Sequence, residues 1–175
     1  MKSHERVALE RIGTALPITE SNVLADLLSN IPKERIDWLR DPDGWSKEYS
    51  CKKRGWPEEK IYETKSGFWV RSKSESKIAD RLYDHKIPFC YEPEIKRGGY
   101  VRYPDFVLLR PDGSLIVWEH RGRDDNAYLA KGFDLIRFYN EAGYYFNDNL
   151  IFTTETDVRS ITSLDRIILR FYYIW

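Results

Sequence analysis

Two carboxylates, Asp105 and Glu119, fall in neighbouring strand-like segments, 103–109 and 115–121, that are joined by residues of turn-forming type. If these segments pair as a hairpin that is symmetric about Asp112, Asp105 lies directly opposite Glu119. Directly opposed residues on one face of a sheet have Cβ atoms roughly 4.5–5.5 Å apart. Two carboxylates at that separation repel each other unless a cation or a proton lies between them. Hard oxygen ligands suit Mg²⁺ or Mn²⁺, so the spacing predicts a site for a divalent metal.

Composition limits the class of protein only in part. The chain has 175 residues, enough for one domain or for one domain with a helical extension. Lys plus Arg and Asp plus Glu number 28 each, so any binding of nucleic acid would depend on a local basic patch. Cys51 and Cys90 have no paired spacing and indicate free thiols, with a single disulfide bridge as the alternative. No apolar run approaches the roughly 18 residues that span a bilayer, and no signal-peptide pattern opens the chain, so we expect a cytoplasmic protein without membrane contact.

The apolar pattern of the chain changes near residue 60. Residues 1–60 are polar and mostly helical in pattern, so we expect a helical N-terminal extension followed by a second unit at 61–175. From residue 74 onward the pattern predicts the order α-β-β-β-α-β-α. The predicted elements are a helix at 74–85 with Ser74 as its N-cap, strands at 89–95, 103–109 and 115–121, a helix at 126–142, a strand at 149–154 and a helix at 163–173.

Several stretches of the chain resemble the PD-(D/E)XK nuclease superfamily, and within it a narrower bacterial and phage group. These stretches are YETKSGFWVRSKSE (62–75), IADRLYDHKIPFCYEPEI (78–95), YPDF (103–106), WEHRG (118–122) and LIFTTET (150–156). The core of that superfamily is a helix, a three-strand meander, a second helix and a fourth strand. The resemblance covers about residues 57–175. It implies an α/β fold with a mixed central sheet flanked by helices, and hydrolysis of DNA, or less often RNA, by metal-activated water.

The resemblance also implies roles for the acidic residues. Asp105 and Glu119 match the two carboxylates that bind the metal, and the carbonyl of His120 matches a third ligand. Glu75 matches the first acidic position, which approaches the metal, often through water; alternatively, Glu75 is a first-turn acid that interacts with the helix dipole alone. The side chain of His120 is expected to point away from the carboxylates, as a hydrogen-bonded structural residue.

Arg121 departs from the superfamily pattern because it stands where a lysine is usual. Strand alternation puts Arg121 on the same face as Glu119. An arginine stays protonated, so it can stabilise negative charge on a phosphate but cannot serve as a base. Relatives place a lysine in the second helix at the position of Leu135, and Lys131 lies one turn earlier on the same helix face. Lys131 is therefore a candidate catalytic residue, with a solvated helix charge as the alternative.

The sequence as a whole predicts a metal-dependent phosphodiesterase, with a DNA endonuclease preferred. The candidate catalytic residues are Glu75, Asp105, Glu119, Arg121 and Lys131. The candidate ligands of Mg²⁺ or Mn²⁺ are Asp105, Glu119 and His120, and the candidate residues for binding nucleic acid are Arg71, Lys73 and Lys77. A solvated face is the alternative for the three basic residues. The competing hypothesis is a nuclease-fold module that has lost catalysis and binds nucleic acid or a partner protein. A third is a subunit of a defence or mobile-element complex, with a partner or a second copy docked on the N-terminal helices.

Overall fold

The computed structural model of the protein describes residues 31–50, 59–122 and 127–173, with the backbone alone for 127–132. Cys51 and Asn126, the first residue of the predicted second helix, lie outside these residues. In chain order the elements are α1 (Lys33–Arg40), α2 (Pro42–Tyr49), β1 (Tyr62–Glu63), β2 (Trp69–Val70), α3 (Lys73–Asp84), β3 (Phe89–Tyr91), β4 (Ile95–Arg97), β5 (Tyr100–Arg102), β6 (Phe106–Leu109), β7 (Leu115–Arg121), α4 (Ala127–Glu141), β8 (Leu150–Thr154), α5 (Ile161–Ile168) and a π-helical turn (Leu169–Tyr173).

Four strands form a central sheet in the order β3-β6-β7-β8. The pairs β3–β6 and β6–β7 are antiparallel, whereas β7 and β8 run parallel. Parallel neighbours require a crossover connection, and α4 provides it between β7 and β8. The fold is therefore mixed α/β, with a mixed central sheet and flanking helices, as predicted.

Strand alternation divides the core between the two faces of this sheet. One face carries Phe106, Leu108, Ile116 and Trp118, and it packs against α3 and α5 through side chains such as Leu82 and Leu164. The other face carries Val107, Leu109 and Val117, and it packs against α4 through Phe138 and Tyr139. Each layer of helices thus buries the apolar side chains of one sheet face, which fixes the sheet between them.

The helices α1 and α2 belong to the second of these clusters. Leu39 and Trp45 are each 4% exposed and pack with Val107 and Leu109 of β6. Trp38 packs against Trp45 in a tilted arrangement, with ring centroids 5.9 Å apart. The predicted boundary near residue 60 therefore separates segments that share apolar contacts, and it stays a prediction. No helix in the described part of the chain is long and apolar enough to cross a membrane.

The turn between β6 and β7 shows why the central hairpin forms where the sequence predicts it. Gly113 has φ +79°, a conformation that side chains other than glycine rarely adopt. A Cβ atom at this position would also lie 3.0 Å from the side chain of Ile31. Asp112 completes the turn because its carboxylate accepts hydrogen bonds from the backbone N–H and the hydroxyl of Ser114.

Two predicted boundaries are wrong for identifiable reasons. The N-cap of α3 is Ser72 rather than Ser74, since the Ser72 hydroxyl accepts the Glu75 N–H at 3.1 Å. The strand predicted at 89–95 ends at Tyr91, because Glu92 has φ +48° and turns the chain out of the sheet. The chain then forms a separate two-stranded sheet of β4 and β5 before it returns to β6.

The last helix begins two residues earlier than predicted. The hydroxyl of Ser160 accepts the Ser163 N–H at 3.1 Å, so α5 begins at Ile161. Beyond Ile168 the helical path continues as the π-helical turn Leu169–Tyr173.

Candidate functional site

The two carboxylates identified from the sequence meet at one end of the central hairpin. Val107 pairs with Val117 and Phe106 pairs with Trp118, so the next pair outward is Asp105 with Glu119. Asp105 lies just before β6 rather than within it. Its carboxylate accepts the backbone N–H of His120 at 2.6 Å, which ties it to β7. The predicted register of the hairpin is confirmed.

Asp105 is buried beside other negative charges. It is 9% exposed. Burial, and then the charges of Glu119 and Glu75, raise the pKa of Asp105 well above its usual range, against the opposing effects of the His120 N–H and Arg71. The folded protein therefore disfavours the ionised form of Asp105, and a bound cation would favour it.

Glu119 is held by a buried tyrosine of α4. The hydroxyl of Tyr139 donates a hydrogen bond to the Glu119 carboxylate, and Tyr139 is fully buried. Burial and the neighbouring Glu119 charge raise the pKa of Tyr139. The phenol thus keeps its proton and acts as a donor that orients Glu119.

Glu75 is also buried, in the first turn of α3. Its carboxylate accepts a hydrogen bond of 2.6 Å from the hydroxyl of Tyr91 and one of 3.1 Å from the backbone N–H of Arg71. Burial and the Glu75 charge raise the pKa of Tyr91, so this phenol too remains a donor. A surface acid that served only the helix dipole would need neither partner. Glu75 is therefore part of the same charged cluster as Asp105.

The sequence reasoning missed Glu92, which is fully buried next to this cluster. Lys60 lies 2.9 Å from one of its carboxylate oxygens, and Arg71 forms an ion pair with the other. Arg71 also lies 4.0 Å from Asp105. The only sequence signal for Glu92 was its place immediately after the apolar run Phe89-Cys90-Tyr91. An acid in such a place is rarely buried unless a positive charge pairs with it. Arg71 is therefore committed to an internal ion pair, whereas Lys73 and Lys77 are exposed.

The side chain of His120 occupies the opposite sheet face from Glu119. Its ring nitrogens lie 3.1 Å from the hydroxyl of Thr153 and 3.2 Å from the Glu155 carboxylate. Ser74 donates to the same carboxylate, and this hydrogen bond lowers the pKa of Glu155. The imidazole thus points away from the two opposed carboxylates, as predicted, and fixes the strand segment whose N–H contacts Asp105.

Arg121 is held against the neighbouring strand. Its guanidinium lies 4.5 Å from the ring centroid of Phe152. Phe152 is the register partner of Glu119 in β8, so the charge of Arg121 is on the Glu119 side of the sheet, as alternation predicts. Lys131 lies within α4, but its side chain is outside the described residues.

The site offers a hard cation two acidic side chains rather than three. Among the side chains that the structure describes, no three His, Cys, Asp or Glu residues converge into a group that could hold a metal ion. Asp105 and Glu119 provide an opposed, mutually repelling pair of oxygen ligands, as Mg²⁺ and Mn²⁺ prefer. Glu75 accepts hydrogen bonds from Tyr91 and from the backbone N–H of Arg71 and is not part of such a group.

Two cavities lie elsewhere in the described structure. One of about 760 Å³ is bordered by α2, the end of α3 and Phe68, and one of about 480 Å³ is bordered by Arg110, Asp148 and Phe171. Neither is lined by Asp105 or Glu119, so the carboxylate pair does not belong to either cavity. Comparison of the chain with protein-family models, with curated proteins and with solved structures finds no match.

Proposed function

We propose that the protein is a metal-dependent nuclease of the PD-(D/E)XK type, with DNA as its preferred substrate. The observation that carries the proposal is the register of β6 and β7, which, continued by one residue, sets the buried Asp105 opposite Glu119. A protein that used this position only for stability would gain by replacing one of the two acids, because opposed like charges are unfavourable. A divalent cation turns the same pair into a favourable arrangement.

The arrangement of the elements supports this class of nuclease. A helix, three antiparallel strands of the central sheet, a second helix and a parallel fourth strand follow one another as α3, β3, β6, β7, α4 and β8. This order agrees with the order that the sequence resemblance implies, which supports the proposal. The β4–β5 sheet is an insertion between the first and second of these strands.

In the proposed mechanism Asp105 and Glu119 would hold Mg²⁺ or Mn²⁺, together with the carbonyl of His120. When bound, the metal would supply an activated water and neutralise charge on the scissile phosphate. Tyr139 keeps Glu119 oriented, and the backbone N–H of His120 keeps Asp105 oriented. Arg121 stabilises negative charge on the phosphate as a permanent cation, and Lys131 is the candidate for a second such charge.

The decisive experiment compares cleavage by the wild type, Asp105→Asn and Asp43→Asn. Plasmid DNA, single-stranded DNA and RNA are incubated with Mg²⁺ or Mn²⁺, and the products are separated on gels. Asp43 is an exposed acid of α2, so its substitution changes net charge as Asp105→Asn does without touching the carboxylate pair. We expect the wild type and Asp43→Asn to cleave equally, and Asp105→Asn to lose at least about 100-fold in rate.

Cleavage that survives in Asp105→Asn would exclude this site as the catalytic centre. Absence of cleavage by the wild type, together with absence of Mn²⁺ binding in calorimetry, would exclude the metallonuclease. If the wild type binds Mn²⁺ but does not cleave, and Asp105→Asn does not bind Mn²⁺, the metal site would be supported. The same result would show that the chain alone is not an active nuclease.

A second candidate function is a binding module of the same fold in which catalysis is lost. Two observations favour it: Arg121 replaces the usual lysine and stacks on Phe152, and the described carboxylates form no three-acid metal group. Such a binding module would bind nucleic acid or a partner protein equally well in EDTA and in Mg²⁺. A nuclease would instead show binding of Mn²⁺ that depends on Asp105.

A further inference from the structure

The β4–β5 sheet projects from the chain directly beside Asp105. The backbone N–H of Glu92 donates to the carbonyl of Asp105 at 3.0 Å, which closes the loop of residues 93–104 at its base. At that base the hydroxyl of Tyr103 donates to the Glu94 carboxylate at 3.2 Å. We call residues 94–102 the β4–β5 arm. Its root is thus fixed to one of the two proposed metal ligands.

The β4–β5 arm has the geometry of a regular two-stranded ribbon. Arg97 pairs with Tyr100, and Ile95 pairs with Arg102. Gly98 and Gly99 form the tip with φ +54° and +78°. Positive φ at both central residues is typical of the tight hairpin turn that matches the twist of its strands.

One face of the arm continues from the side of the sheet that bears the carboxylates. Ile95 packs against the cluster that contains Tyr139, and the guanidinium of Arg102 lies 5.7 Å from the ring centroid of Phe138. The charge of Arg102 also acts on the hydroxyl of Tyr139, which donates to Glu119. Alternation places Arg97 and Tyr100 on this same face, farther out.

The arm is basic in a chain whose net charge is zero. It carries Lys96, Arg97 and Arg102 against the single acid Glu94. Lys96 forms an ion pair with Glu94. Arg97 is exposed near the tip, and Tyr100 is 68% exposed beside it. This is the combination of positive charge and aromatic surface that nucleic acids bind.

We propose that the β4–β5 arm binds duplex DNA and directs it across Asp105 and Glu119. This rests on the proposed function, because the arm has a partner only if the substrate is a nucleic acid. A two-stranded ribbon fits the major groove of B-form DNA but not the deep, narrow major groove of duplex RNA. Tyr100 is five residues from Asp105, a reach of at most roughly 18 Å, which is about half of the 34–36 Å turn of a DNA duplex. One duplex can therefore contact the arm and the carboxylates together.

The test measures binding of a fluorescein-labelled DNA duplex by anisotropy in EDTA, over a range of salt concentrations. Arg97→Ala, Tyr100→Ala and the double variant are compared with the wild type, with Lys47→Ala, an exposed lysine of α2, as the matched control. We expect Arg97→Ala to weaken binding about 10-fold and to reduce the magnitude of the salt slope by about one. Lys47→Ala should bind as the wild type does. Thermal melting of each variant checks that the fold is retained.

The outcomes separate this proposal from the nuclease proposal. Unchanged affinity and salt slope in both arm variants, with duplex binding by the wild type, would overturn the role of the arm and leave the nuclease untouched. If the wild type binds the duplex but never cleaves it, and the arm variants lose this binding, the result would support the role of the arm and count against the nuclease. If the wild type binds duplex RNA or single strands more tightly than duplex DNA, the proposed partner is wrong.

Discussion

At the scale of single residues, each of the three candidate acids has a buried or backbone donor of its own. Glu75 accepts from Tyr91, Asp105 from the N–H of His120, and Glu119 from Tyr139. These bonds orient the carboxylates before any metal binds, which lowers the cost of ordering them on binding. The donors do not offset the burial of Asp105 and its repulsion from Glu119, since the pKa of Asp105 remains raised.

Asp105→Asn should stabilise the metal-free protein at neutral pH. Because the folded-state pKa of Asp105 is raised, the folded protein holds a proton there that the unfolded chain releases near pH 3.9. The free energy of unfolding of the wild type therefore falls as pH rises from about 4 through the folded-state pKa. Asp105→Asn does not lose this stability, because asparagine does not titrate. Urea unfolding in EDTA should show a gain of about 1–2 kcal/mol at pH 8 and no gain at pH 4.

Addition of Mn²⁺ should reverse this order by stabilising only the wild type. Lower stability of Asp105→Asn than of the wild type in EDTA at pH 8 would contradict the repulsion between the carboxylates.

Tyr139→Phe should weaken metal binding with little change in packing. The variant loses only the hydroxyl that donates to Glu119, and a hydrogen bond to a charged group contributes roughly 1.5–3 kcal/mol. We expect Mn²⁺ affinity in calorimetry to fall about 10-fold and the free energy of unfolding to fall by about 1–2 kcal/mol. Tyr144→Phe is the control, since its ring packs 6.4 Å from that of Tyr139 in the same cluster. An equal loss of affinity in Tyr144→Phe would mean that the effect comes from packing.

At the scale of elements, an ion-pair cluster joins α3 to α5. Asp165 accepts two hydrogen bonds from Arg81, of 2.5 and 2.8 Å, and lies 2.9 Å from His85. The hydrogen bond from Arg81, followed by that from His85, lowers the pKa of Asp165 to about 2. The cluster holds the helix that carries Glu75 against the last helix of the chain.

The depressed pKa of Asp165 predicts an acid-sensitive contribution to stability. Because the folded-state pKa lies below the unfolded value, the stabilisation is present above about pH 4 and is lost as pH falls towards 2. The pair is partly exposed, so we expect only about 1 kcal/mol. Asp165→Asn should be less stable than the wild type by that amount at pH 6 in low salt, and most of the difference should be lost at pH 2. A difference that is undiminished at pH 2 would indicate a packing effect instead.

At the scale of the whole molecule, the helices before residue 60 contribute to the core of the sheet. Trp45 is 4% exposed and packs in the cluster of Val107 and Leu109. We therefore expect one cooperative unfolding transition for the whole chain, and a loss of about 3–5 kcal/mol in Trp45→Ala. Calorimetry checks both expectations. Two separate transitions, with Trp45→Ala affecting only one of them, would establish the boundary near residue 60 as a true domain boundary.

A buried arginine closes the opposite end of the molecule. Arg110 follows β6 and donates to the carbonyls of Phe171 and Asp148 at 2.6 and 3.3 Å. Burial lowers the pKa of Arg110, but an arginine remains charged and its fork of donors spans both carbonyls. The end of β6 that is remote from Asp105 is thus fixed by the last turn of the chain.

The residue pattern alone predicts the central hairpin and the opposed pair Asp105 and Glu119. These features depend on alternation along a strand and on the local chemistry of the turn at Gly113, which neighbouring residues decide. The same holds for the α3, α4 and β8 segments, whose apolar period is local. The exact ends of these segments are harder to predict, because one capping hydroxyl determines at which of several nearby residues a helix begins. The cap of α3 at Ser72 rather than Ser74 is an example.

The groups that surround the carboxylates follow from the packing of distant elements and from no local pattern. Tyr91 reaches Glu75 from 16 residues away and Tyr139 reaches Glu119 from 20, because packing of helices on the two sheet faces brings them there. Strand periodicity predicts that Glu92 continues the strand at 89–95. In the structure the chain instead turns at Glu92 in a left-handed conformation, and its buried carboxylate pairs with Arg71. Hydrogen-bond and ion-pair partners depend on distances between elements, and no local pattern of residues specifies those distances.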